Sequence, residues 1–188
     1  MIFLDWITLL AIGGIVVVAT IFILTLVYYY NRIRVLYNRI EEAWSQIDVQ
    51  LKKRYDLVPN LVEIVKGYAK HEREIFEKVS EARERMVGGD REGRLTASNE
   101  LTSTLRTLFA VAENYPELKA SENFKLLQEQ LEGIENKIAY SRQYYNSSVL
   151  NYNIVITTIP GKWFAGSREK HAFLEIPKEE QKVVKVEF

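Results

Sequence analysis

The chain has 188 residues, 25 basic and 25 acidic side chains, no cysteine and two histidines, and 47% of its residues are apolar. That is the size of one ordinary domain, and it is too apolar for a disordered chain. It excludes a disulfide framework, a thiol nucleophile and a thiolate metal site, and the zero net charge lacks the basic surplus of nucleic-acid-binding domains, so no nucleic acid partner is expected.

The run WITLLAIGGIVVVATIFILTLVYYY, Trp6 to Tyr30, has no charged residue. A helix needs about 20 apolar residues to cross the hydrocarbon core, so this run is predicted to be a transmembrane helix. Trp6 at one end and Tyr28, Tyr29 and Tyr30 at the other have the aromatic placement of the two membrane interfaces. A signal peptide would have a shorter apolar region, about 7–15 residues, behind a basic start. Here Asp5 is the only charged side chain before the run.

Arg32, Arg34 and Arg39 follow the run, then Lys52, Lys53 and Arg54. The positive-inside rule therefore predicts a cell-membrane protein with its N-terminus outside and its larger part in the cytoplasm. The expected organisation is an extracytoplasmic segment 1–5, a membrane helix 6–30, a helical bundle 31–159 and a tail 160–188. In a cytoplasmic domain the sequon Asn146-Ser147-Ser148 would go unused.

Past the anchor, apolar residues recur at steps of three and four. The sets are Ile33, Tyr37, Ile40, Trp44, Ile47 and Leu51; Leu57, Leu61, Ile64, Tyr68, Ile75, Val79, Ala82 and Met86; Leu101, Leu105, Leu108, Ala112 and Tyr115; and Phe124, Leu127, Leu131, Ile134, Ile138, Tyr145, Val149, Tyr152 and Ile156. This is the narrow seam of bundled helices. Helices are predicted near 31–55, 57–86, 95–115 and 122–158. Asp56 would cap the second, with Pro59 in its first turn. Gly88-Gly89-Asp90, Pro116 and Pro160-Gly161 supply the other breaks, and Ser121 a further cap. Short connections favour antiparallel neighbours. The predicted fold is all-α: an N-terminal transmembrane helix, an antiparallel four-helix bundle of long helices, and a short irregular C-terminal tail.

Catalytic patterns are missing. A di-iron bundle needs Glu three residues before His, but Tyr68 precedes His71 and Arg168 precedes His171 at that spacing. His71-Glu72-Arg73-Glu74-Ile75 lacks the second histidine of a zinc protease helix. No phosphate-binding glycine loop occurs. Carboxylates such as Glu63, Glu72, Glu132 and Glu135 are those of ordinary helix surfaces. No cofactor, metal site or enzyme activity is expected.

AWSQIDVQLKKRYDLVPNLVEIVKGYAKHE (43–72), AENYPELKA (112–120) and LQEQLEGIENKIAYSRQYYN (127–146), followed by Tyr152-Asn153, resemble the signature of the LemA family. Lys53, Tyr55 and Ile134 depart mildly from the family pattern, and the tail GKWFAGSREKHAFLEI is shorter than the family's glycine- and phenylalanine-rich one. The resemblance implies a bacterial or archaeal single-pass membrane protein with a cytoplasmic four-helix bundle. It supplies no catalytic residue. It also implies a protein partner, with a membrane-embedded zinc protease as one candidate.

Within that signature Arg54, Asp56, Asn60, Lys66, His71 and Glu72 form a candidate partner-docking patch. The plainer reading makes them caps, helix-end partners and one seam histidine. Tyr145, Tyr152, Asn146 and Asn153 fit a buried polar network or a ligand groove equally. The functional expectation is a non-enzymatic scaffold or regulator that docks a partner at the lipid bilayer. A homo-oligomeric membrane-organising protein is the first alternative, and a carboxylate enzyme using a divalent ion is the second. In an antiparallel bundle the fourth helix ends near the membrane, which places Trp163 and Phe164 at the bilayer interface or, alternatively, as a cap on the seam.

Overall fold

The computed structural model describes residues 2–69 and 72–175, with side chains from Trp6 onward. His71 and the residues beyond 175 lie outside them. All regular structure among the described residues is helical: α1 (Ile2–Tyr68), α2 (Arg73–Gly88), α3 (Arg91–Ala112), α4 (Pro116–Ala120), α5 (Glu122–Thr157) and α6 (Gly161–Phe164). Two compact units are present. Among the described residues, one comprises 2–43 with 144–174 and the other 44–69 with 72–143.

In the first unit the apolar run is bare. Leu10, Ile15 and Val18 are 71%, 68% and 68% exposed, and their neighbours are similar. A protein surface this long and this apolar has the bilayer as its solvent. Protein cover begins at Ile33, Leu36 and Ile40, which are buried in this unit, as are Val149, Tyr152 and Ile156 of α5.

The second unit corrects the predicted break at 56. Helix α1 continues through Asp56 and Pro59 to Tyr68. Asp56 does not cap a helix start; its carboxylate pairs with Lys52 at 2.5 Å, one turn back on an exposed face. Because the helix is unbroken, its buried stripe keeps one phase: Trp44, Ile47, Leu51, Arg54, Val58, Leu61, Val65 and Ala69. Tyr68, expected on the seam, is 44% exposed. Leu57 and Ile64, also expected there, are half-buried.

Pro59 cannot donate to the carbonyl of Tyr55. The Arg83 side chain of α2 donates its Nε–H to that oxygen at 3.1 Å and lays its guanidinium 3.8 Å over the Tyr55 ring. A second arginine closes the next helix end: Arg94 Nε–H donates to the Met86 carbonyl at 3.1 Å. Only Gly89 and Asp90 separate α2 from α3, which starts earlier than predicted because Asp90 caps it by accepting from the Gly93 N–H at 2.8 Å. The α2 stripe Phe76, Val79, Ala82 and Met86 and the α3 stripe Leu95, Leu101, Leu105 and Leu108 are buried, as are Phe124, Leu127, Leu131, Ile134 and Ile138 of α5.

Candidate functional site

Two groupings of polar and aromatic side chains stand out, one in each unit. The first is built by the tail folding back on α5. Asn146 and Asn153 are seven residues apart, two turns, and so share one helix face. Each holds one tail residue by both backbone groups. Asn153 Nδ2–H donates to the His171 carbonyl at 2.9 Å and its Oδ1 accepts the His171 N–H at 3.0 Å. Asn146 does the same for Leu174, at 3.0 and 2.8 Å. An extended tail has no sheet or helix partner, and these amides supply the missing one.

The clamp brings His171 onto two tyrosines. Its ring centroid lies 5.7 Å from Tyr37 and 5.1 Å from Tyr152, which are themselves 6.4 Å apart. Burial pushes the Tyr152 phenol above its ordinary pKa; nearby Arg168 opposes the shift and Tyr37 adds to it. The three rings, with Ile33, Arg34, Arg168 and Glu169, border a cleft of about 300 Å³.

The tail before the clamp lies along the last turns of the apolar run. Phe164 stacks on Tyr29, 5.7 Å between centroids and 13° between planes, and meets Phe22 at 6.2 Å. Tyr28 meets Tyr29 edge-on at 5.1 Å. Arg168 sits 5.8 Å over the Tyr30 ring and donates from Nη1 to the Ala165 carbonyl at 2.9 Å. Trp163 points away and is 70% exposed; Trp6, at the other end of the run, is 62% exposed. Gly161 makes this return path passable: a Cβ there would stand 2.2 Å from the Val155 carbonyl oxygen.

The second grouping surrounds Arg54, which is 3% exposed on the buried stripe of α1. Its Nη1 reaches Glu135 Oε2 at 2.7 Å and donates to Ser98 Oγ at 3.1 Å. Thr102 Oγ1 donates to the same carboxylate at 3.2 Å. Burial pulls the guanidinium below its ordinary pKa, with Glu135 pushing back and Arg142 adding to the fall. Arg54 therefore belongs to the core network and offers nothing to a docking partner, a correction to the expected patch.

Most of the other residues of that patch lie on or beside the outer face. Asp56 and Asn60 are exposed one turn apart on α1. The Lys66 ammonium sits 5.4 Å over Phe76 and borders an open cleft with Arg73, Glu77, Ser80, Glu81 and Glu84. Glu72 is half-buried and accepts from the Tyr115 hydroxyl at 3.5 Å. His71 lies outside the described residues. Among the described residues no three His, Cys, Asp or Glu side chains converge as a metal site.

The LemA family model matches residues 43–188. The chain belongs to the LemA family. Its curated relatives include the magnetosome protein MamQ of Magnetospirillum gryphiswaldense, 27% identical over 184 residues, covering 84% of this chain and 67% of the relative. MamQ 1 and MamQ 2 of Paramagnetospirillum magneticum are each 26% identical over 186 residues, covering 83% of this chain and 68% of each relative. Among the described residues one helix is long and apolar enough to cross a membrane. Its location is a membrane.

Proposed function

We propose that this LemA-family protein is a non-enzymatic scaffold or regulator, tethered by residues 6–30 with its N-terminus outside, that docks a protein partner at the cytoplasmic face of the cell membrane. Its helices after the anchor act as an antiparallel four-helix bundle. The observation that carries the reading is the division of polar groups in the family-matched region. The buried charge, Arg54, holds helices together through Glu135 and Ser98, while Asp56, Asn60 and Lys66 stay on the outside. Such a surface suits recognition of another protein. Trp6, Tyr28, Tyr29, Tyr30, Trp163 and Phe164 form the membrane-interface contacts of the anchor. The family resemblance makes a membrane-embedded zinc protease one candidate partner.

A second reading, a homo-oligomeric membrane-organising protein, draws on the relatives, which are named as magnetosome proteins. Crosslinking in native membranes followed by mass spectrometry separates the two. Stoichiometric crosslinks from residues near Asp56, Asn60 and Lys66 to one other protein support docking. Crosslinks confined to copies of this chain favour the oligomer. Titration of the purified chain with magnesium, manganese and zinc tests the non-enzymatic part, since saturable heat would reopen a divalent-ion enzyme.

A further inference from the structure

The cleft beside His171 has a position and a charge that the docking reading does not use. The structure assigns it a ligand: we propose that the cleft between α1, α5 and the tail binds the phosphate of an anionic lipid headgroup.

Depth is the first argument, and it rests on the anchor reading. A bilayer is about 30 Å thick in its hydrocarbon and about 40–45 Å with headgroups, leaving roughly 5–8 Å of headgroup on each side. Arg34 is one turn past Tyr30, about 6 Å by helical rise. That puts the cleft's first guanidinium at phosphate level. The tail reaches the same level from the other direction. Phe164 lies against Phe22 and Tyr29, inside and at the end of the apolar run, and four residues later Arg168 is over Tyr30.

Charge is the second argument. Arg34, Arg168 and one carboxylate, Glu169, line the cleft together with Ile33 and the rings of Tyr37, Tyr152 and His171. Among the described residues neither arginine pairs with a carboxylate. Guanidinium forks match phosphate oxygens with two parallel hydrogen bonds, and phenol hydroxyls add neutral donors. Two arginines from different segments, one on α1 and one on a tail fixed by Asn153, make a defined site instead of a diffuse basic surface. Glu169 narrows the choice: it disfavours multiply charged anions and suits a phosphodiester carrying one charge. A cleft of about 300 Å³ holds a headgroup and leaves the acyl chains outside, along the bare apolar run.

The test uses the full chain in a neutral detergent, titrated with dihexanoyl phosphatidylglycerol, dihexanoyl phosphatidylcholine or inorganic phosphate and read by native mass spectrometry. One phosphatidylglycerol should bind per chain, roughly tenfold or more tighter than phosphatidylcholine. Each arginine supplies charged hydrogen bonds, so Arg34→Gln and Arg168→Gln should each weaken binding about tenfold or more. Arg39→Gln, exposed and outside the cleft, should not. Glu169→Gln should tighten binding several-fold, a gain that a misfolded chain would not produce. Equal binding of the two lipids, or equal loss in Arg39→Gln and Arg34→Gln, overturns the proposal. Displacement of the lipid by equimolar inorganic phosphate overturns the lipid assignment in favour of a soluble anion. Short-chain lipid reaches the cleft whether or not the chain spans a membrane. Carbonate extraction of native membranes scores the anchor separately.

Discussion

Arg83 replaces the hydrogen that Pro59 lacks: its Nε–H meets the Tyr55 carbonyl at 3.1 Å, the oxygen four residues before the proline. A proline inside a helix removes one hydrogen bond and crowds that carbonyl, at a cost of about 3 kcal/mol or more. A side chain from α2 takes the vacant acceptor and stacks on Tyr55 as well. The consequence is that α1 continues to Tyr68 and α2 is fixed against it.

Arg83→Ala should therefore destabilise the chain by about 1–2 kcal/mol, one hydrogen bond plus one cation–π contact. Pro59→Ala restores a backbone donor to Tyr55. In that background Arg83→Ala should cost less, because only the stacking is lost. Chemical denaturation followed by helical circular dichroism gives the cycle. Equal costs in both backgrounds would mean that the arginine does not serve the proline's carbonyl.

The Arg54–Glu135 pair should respond asymmetrically. Glu135→Gln leaves a guanidinium that is 3% exposed without its counter-charge. Breaking a buried pair in this way costs about 3–5 kcal/mol. Arg54→Met instead leaves Glu135, which is 29% exposed and has water within reach, and fills the seam with an apolar side chain. It should cost clearly less. If the methionine variant is the weaker of the two, the network is stabilising in its own right and not merely satisfied.

The asparagine clamps predict a local effect. Asn153→Asp removes the donor to the His171 carbonyl and keeps the acceptor; Asn153→Leu removes both. Hydrogen exchange of residues 168–174 should rise in the order wild type, Asp, Leu, while α3 amides stay unchanged. Exchange that rises equally in α3 would show that the asparagine acts on global stability.

The helical seams on α3 and α5 were legible because apolar side chains at steps of three and four have one packing solution. So was the long apolar N-terminal helix, by its uninterrupted run of uncharged residues. The break at 56 was misread because Asp56 and Pro59 have the local signature of a helix start, and the compensating group, Arg83, is 24 residues beyond the proline. The same error hid Arg54: with α1 unbroken, it falls on the seam between Leu51 and Val58. Its partners Ser98 and Glu135 come from helices whose rotation no local pattern fixes. The clamp left a trace, two asparagines seven apart on one face, but nothing local says that the segment they hold is the tail. Arg34 read as one of the bases flanking the apolar run and Arg168 only as the residue three before His171, since the cleft exists only once His171 is seated.

Gly161 supplies the last test. A Cβ at this position would lie 2.2 Å from the Val155 oxygen, a distance real side chains do not tolerate, and the obstructing atom is helix backbone that cannot swing aside. Gly161→Ala must therefore move α6 away from the end of α5. Phe164 would then lose its stack on Tyr29, and the neighbouring Trp163 would change depth. The measurement is made on the full chain in lipid discs, with Trp6 and Trp44 replaced by Phe so that Trp163 is the sole emitter. Quenching by lipids brominated at defined carbons reports its depth. With Gly161 intact, carbons near the headgroup should quench more than those near the bilayer centre, as befits an indole at the interface. In Gly161→Ala the quenching should fall and the emission move to the red as the ring enters water. Gly161→Ser, which adds the same Cβ, should match it. An unchanged depth profile in both would mean that the tail reaches the interface without the tight turn. Absence of quenching in the parent would place Trp163 in water and remove it from the interfacial set.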